Sequence, residues 1–89
     1  MVEYKILYSK SALKDAKKLS SANLSTKAKE LIEIIRKDPF QNPPPYEKLV
    51  GNLTGAYSRR INIKHRIVYE VRETDKVVRI ARMWSHYGD

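Results

Sequence analysis

The chain has 89 residues, 42% of them hydrophobic, which suits one compact domain that buries about 60–65% of its unfolded surface. It has no cysteine and two histidines, which excludes a disulfide framework and argues against a structural zinc site. The net charge of +8 favours a polyanionic partner, nucleic acid before acidic protein or anionic lipid. No apolar run approaches the roughly 18 residues of a membrane span, so we expect a soluble cytoplasmic protein without a membrane partner.

The N-terminal part of the chain predicts a strand followed by a helical hairpin. Residues 2–8 alternate well enough, and contain enough aromatic and branched side chains, to form a strand. Residues 11–19 place apolar side chains at helical spacing with lysines between them. A second amphipathic helix covers residues 25–38 and ends there because Pro39 follows.

The rest of the chain predicts strands after a stiff connector. Residues 39–46 contain all four prolines of the sequence, which remove amide donors and exclude regular structure. Four strands are predicted beyond it, at residues 47–50, 56–62, 65–71 and 76–84. We therefore predict an α+β fold of one domain, residues 1–89, in the order β-α-α-β-β-β-β. Two N-terminal helices pack on one face of a mostly antiparallel sheet of four to five strands.

Polar side chains gather on the open face of this predicted sheet. Alternation along the strands puts Arg60 and Arg66 on the open face and Arg59 on the opposite one. Glu47 begins the preceding strand, and His86 follows the last one. Each of these residues alone is more often a solvated charge, since charges on strands commonly prevent edge pairing. Their occurrence together on consecutive strands favours a site.

A carboxylate, a guanidinium and an imidazole are the groups that RNA cleavage by its own 2′-hydroxyl requires. A base removes the 2′-hydroxyl proton, a cation stabilises the phosphorane charge, and an acid protonates the departing 5′-oxygen. Glutamate, arginine and histidine can take these parts in turn. The reaction needs no metal or other cofactor.

Three sequence motifs resemble a known family. These are GNLTGAYSRRI at residues 51–61, HRIVY at residues 65–69 and the dipeptide His86-Tyr87. Together they closely resemble the Txe/YoeB toxins of the RelE/ParE superfamily, which belong to bacterial type II toxin–antitoxin systems. The resemblance covers nearly the whole chain and implies a RelE-like fold. It further implies a ribosome-dependent endoribonuclease, or mRNA interferase, that cuts mRNA in the ribosomal A site.

The same resemblance implies partners and roles for single residues. The partners are mRNA, the ribosome with its rRNA, and a cognate antitoxin, in a homodimer or a toxin–antitoxin hetero-oligomer. Glu47 is the implied general base, Arg66 binds phosphate and transition-state charge, and His86 is the general acid. Tyr87 stacks on or orients the substrate base. Arg59 is a candidate for phosphate binding, with a structural or rRNA-binding role as its alternative.

Other interpretations remain open from the sequence. Val50 stands where close relatives often have a lysine, and Lys48 or Arg60 could replace that lysine. A gyrase-poisoning toxin of the ParE type would share the scaffold without needing the His86-Tyr87 pair. A non-catalytic RNA-binding or ribosome-binding protein would need only the positive charge.

Overall fold

The computed structural model describes residues 3–49 and 55–84 of the chain. Strand β1 (Lys5–Tyr8) is followed by helices α1 (Lys10–Ser21) and α2 (Ser25–Lys37). The remaining strands are β2 (Glu47–Lys48), β3 (Ala56–Arg60), β4 (Arg66–Arg72) and β5 (Val77–Arg82). The predicted order of elements is confirmed. No helix within the two described segments is long and apolar enough to cross a membrane.

The strands form one five-stranded sheet in the order β1-β5-β4-β3-β2. β1 pairs in parallel with β5, whereas the other three pairings are antiparallel. The helical hairpin is therefore the crossover that carries the chain from β1 to the far part of the sheet. This topology confirms a mostly antiparallel sheet and leaves β1 and β2 as its edges.

The helices cover one face of the sheet and enclose the main core. α1 begins where Ser9 Oγ accepts a hydrogen bond from the amide of Ala12 at 3.0 Å, which satisfies a donor that the first turn leaves free. The apolar stripes of the two helices then pack on the inward side chains of β4 and β5. The fully buried core members are Ala12, Leu19, Ile35, Ile67, Tyr69, Val78 and Ile80. A smaller apolar cluster of Leu49, Ala56 and Val68 lies apart from this core.

Four strands, β1, β2, β3 and β5, are shorter than the alternation of their sequences predicts. The amide of Tyr4 donates to the carbonyl of Arg36 in α2 at 2.8 Å, so β1 starts only at Lys5, where pairing with β5 begins. β3 ends at Arg60 because Asn62 Oδ1 accepts from the amide of His65 at 2.8 Å and closes the turn to β4. Residue 50 and motif residues 51–54 lie outside the described segments.

Candidate active site

An open cavity of about 270 Å³ lies on the sheet face opposite the helices, where β2, β3 and β4 adjoin. The strand register brings its charged residues together: Glu47 lies opposite Ser58, and Arg60 lies opposite Arg66. Since residues two apart on a strand share a face, Ser58 and Arg60 point the same way. The cavity is lined by Pro45, Tyr46, Glu47, Ser58, Arg60 and Arg66. Sequence alternation had predicted this shared face for both arginines.

Glu47 and Arg66 are in contact at this cavity. Arg66 Nη1 lies 3.4 Å from Glu47 Oε2, which is a long contact for a charge-assisted hydrogen bond. The Glu47 side chain is 62% exposed and that of Arg66 only 20%. The carboxylate is thus accessible to an incoming molecule, while the guanidinium is held against the sheet. Within the described segments, Arg66 Nε is buried and has no hydrogen-bond partner.

Arg60 adds a second guanidinium to the same cavity. It is exposed at the end of β3 and lies directly opposite Arg66 in the register. Like charges directly opposite one another destabilise a strand pair, so this pair of cations is suited to an anion between or above them. Lys48, the other candidate to replace the lysine missing at Val50, pairs with Tyr57 and does not line the cavity. Of these two candidates, only Arg60 lines the cavity.

Arg59 lies inside the molecule, away from the cavity. Its side chain is almost completely buried, at 1% exposure. Its Nη1 donates to the carbonyl of Pro44 at 2.7 Å, and its Nη2 donates to those of Pro39 and Gln41 at 3.1 and 2.9 Å. These are the contacts of a structural residue, the alternative given above for Arg59. Arg59 is not among the residues that line the cavity.

The end of β5, which leads to the predicted acid, is anchored to α1. Asp15 of that helix is 2% exposed, and its Oδ2 accepts from Arg82 Nε at 2.9 Å and from the amide of Met83 at 3.1 Å. Trp84 packs against the ring of His65, with the two ring centroids 4.2 Å apart. His86 and Tyr87 lie outside the described residues, so the structure fixes the chain up to two residues before the predicted acid.

The pKa of Asp15 reflects this anchoring. Burial acts to raise it, but the hydrogen bonds from Arg82 and Met83, with the charges of Arg82 and Lys18, outweigh burial and hold the pKa below its usual value. Asp15 is therefore an ionised group that joins helix to strand. One signal for this residue is visible in the sequence, since helical spacing places Asp15 on the same face as Ala12 and Leu19, which are buried with it.

Comparison with known proteins identifies the family of the chain. Residues 8–87 match the model of the YoeB-like toxin of bacterial type II toxin–antitoxin systems. The chain belongs to this family. The toxin YoeB of Synechocystis is 40% identical over 73 residues, which cover 82% of this chain and 76% of that protein. The resemblance inferred from the sequence motifs is thereby confirmed.

Solved structures of YoeB toxins share the fold. A YoeB/ParE toxin from Agrobacterium tumefaciens superposes with a TM-score of 0.85 at 28% identity, covering 93% of this chain and 99% of that one. A YoeB-YefM complex from Staphylococcus aureus gives a TM-score of 0.79 at 38% identity, covering 97% of this chain and 100% of the matched chain. The α+β architecture predicted here is therefore that of the YoeB-like toxins.

Proposed function

We propose that this YoeB-like toxin is a ribosome-dependent endoribonuclease that cleaves mRNA in the ribosomal A site. The observation that carries the proposal is the contact between the exposed carboxylate of Glu47 and the guanidinium of Arg66 in a cavity that also contains Arg60. A base beside two fixed cations suits a reaction in which an alkoxide forms next to a phosphate. A ribosomal target locates the action of the toxin in the cytoplasm.

Each proposed step uses one group of the chain. Glu47 accepts the proton of the 2′-hydroxyl, whose oxygen attacks the adjacent phosphorus. Arg66 and Arg60 stabilise the negative charge that accumulates on the phosphorane oxygens. The bond from phosphorus to the 5′-oxygen breaks, and His86 gives its proton to that oxygen. The products are a 2′,3′-cyclic phosphate and a free 5′-hydroxyl, while Tyr87 stacks on or orients the base.

The guanidinium of Arg66 supports phosphate as the ligand. It lines the cavity with 20% of its side chain exposed, and a guanidinium forms paired hydrogen bonds with phosphate oxygens. A phosphate bound above β3 and β4 would reduce the repulsion between the charges of Arg60 and Arg66. The site therefore has a physical reason to bind the RNA backbone irrespective of base sequence.

Exposed lysines of the helices support rRNA as a second contact. They lie on the outer surface of the hairpin, on the opposite side of the sheet from the cavity, and are Lys14, Lys17, Lys18, Lys27 and Lys29. Such a spread of positive charge suits the backbone of a large RNA. An antitoxin completes the proposed set of partners, forming a hetero-oligomer in which it covers the cavity and excludes mRNA.

The deciding experiment is translation-coupled cleavage with the Glu47→Gln variant. Loss of a general base costs on the order of 10²–10⁴ in rate, so we expect cleavage to fall by that factor while the protein stays folded. Glu73→Gln, at an exposed residue of the β4–β5 turn, is the matched control and should cut normally. Unchanged cutting by Glu47→Gln would refute the assignment. Growth arrest that persists in that variant with a DNA-damage signal would instead favour gyrase poisoning.

A further inference from the structure

A buried guanidinium holds the proline-rich connector between α2 and β2. Arg59 donates three hydrogen bonds to connector carbonyls, those of Pro39, Gln41 and Pro44. The hydroxyl of Tyr69 donates to the carbonyl of Pro39 as well, at 2.8 Å. Side chains of two neighbouring strands thus contact the connector at three separate residues.

The composition of the connector explains why a side chain is needed there. Prolines have no amide donor, so the segment cannot form a backbone ladder with the sheet. Its inward carbonyls still require donors, because an unpaired buried carbonyl is costly. A guanidinium carries five N–H donors in a rigid fork and can serve several acceptors at once. Arg59 therefore supplies this segment with the hydrogen-bond donors that a neighbouring strand supplies elsewhere in the sheet.

The connector leads directly into the proposed base. β2 has two residues and lies at the sheet edge, where Glu47 pairs with Ser58 of β3. The residue before it, Tyr46, lines the cavity, and its ring centroid lies 5.1 Å from Arg59 Cζ. A two-residue edge strand is a weak support on its own. The position of the Glu47 carboxylate must then depend on how the connector is held.

We propose that Arg59 is a positioning residue that fixes Glu47 for proton transfer. The inference rests on the proposed ribonuclease function, and it gives Arg59 a part that does not involve contact with RNA. A misplacement of about 1 Å at a reacting group can cost on the order of 10²-fold in rate. Loosening the connector should therefore lower the rate of the chemical step and leave the binding of RNA largely unchanged.

The test measures the effect of Arg59→Lys on cleavage in two backgrounds, the wild-type protein and the Glu47→Gln variant. Lysine keeps the charge but cannot reproduce the fork, so we expect kcat for cleavage on the ribosome to fall about 10- to 100-fold at nearly constant KM. Hydrogen exchange of residues 40–48 should become faster. In a Glu47→Gln background, Arg59→Lys should cause little further loss, because a positioning residue acts through the base it positions. Arg72→Lys, at an exposed position of β4, is the matched control.

Each outcome bears on the proposal. A folded Arg59→Lys variant with normal kcat would overturn the inference, and so would an equal loss in both backgrounds, which indicates a general structural effect. If Arg59→Lys does not fold, Tyr69→Phe decides by the same comparison, since it removes one donor to Pro39 and keeps the buried ring. Full cleavage by Glu47→Gln alone would overturn the proposed function itself and remove the basis of this inference.

Discussion

The carboxylate of Asp15 should stabilise the fold in a way that depends on pH. It accepts a charge-assisted hydrogen bond from Arg82 and a second one from the Met83 amide. Asp15→Ala removes both, at about 1.5–3 kcal/mol for the charged bond and about 1–3 kcal/mol for the orphaned amide. Asp15→Asn retains an oxygen acceptor, so its cost should be smaller, about 1–2 kcal/mol. For a domain of this size, that cost lowers the Tm by about 5–15 °C.

The sign of the pH effect follows from the lowered pKa of Asp15. A carboxyl whose pKa is lower in the folded state adds stability above its unfolded pKa, about 3.9 for aspartate, and loses it as the pH falls through the folded value. We therefore expect the difference in unfolding free energy between the wild-type protein and Asp15→Asn to have its full value at pH 7. This difference should become smaller as the pH falls below about 4.

Urea unfolding at pH 7, 5, 4 and 3 measures this difference directly. Asp75→Asn is the matched control, because it removes the same charge from an exposed residue of the β4–β5 turn and should change stability by less than about 0.5 kcal/mol. A difference between wild type and Asp15→Asn that is absent at pH 7, or equally large at pH 3, would refute the reasoning.

Two further substitutions test the site and the first helix. Arg60→Ala should lower cleavage on the ribosome by on the order of 10²-fold. Lys48→Ala should have little effect, because Arg60 and not Lys48 lines the cavity. Equal losses in the two variants would contradict this assignment. Ser9→Ala should lower the free energy of unfolding, measured by thermal unfolding, by about 1–2 kcal/mol. The reason is that Ser9 Oγ accepts from the amide of Ala12 and donates to the carbonyl of Ala81 at 2.8 Å. The exposed neighbour Ser11 provides the control, and a Ser11→Ala variant as unstable as Ser9→Ala would count against the cap.

Features with a local cause were predictable from the sequence. Pro39 stops α2 because its ring excludes a continued helix, and α2 indeed ends at Lys37. Alternation of side chains along two strands was enough to put Arg60 and Arg66 on one face, since a strand has a period of two. The element order and the open face followed from such signals alone.

Features that depend on contacts distant in the sequence were not predictable. Asp15 and Arg82 are separated by 67 residues, and no sequence pattern links them. Alternation predicted that Arg59 lies on the face opposite the open one. The carbonyls that accept hydrogen bonds from it, however, belong to a segment without regular structure. Its role as a support for the connector therefore became visible only in the folded chain.

The charged groups of the cavity differ in how firmly the fold holds them. Arg60 and Arg66 belong to strands β3 and β4, which pair continuously from Ala56–Glu70 to Arg60–Arg66. Glu47 belongs to a strand of two residues at the edge, where local opening requires less free energy than in the centre of a sheet. The cationic part of the site is therefore built into the sheet, whereas the proposed base depends on the connector before it. This difference is the reason we expect substitution of Arg59, which does not line the cavity, to lower the proposed cleavage.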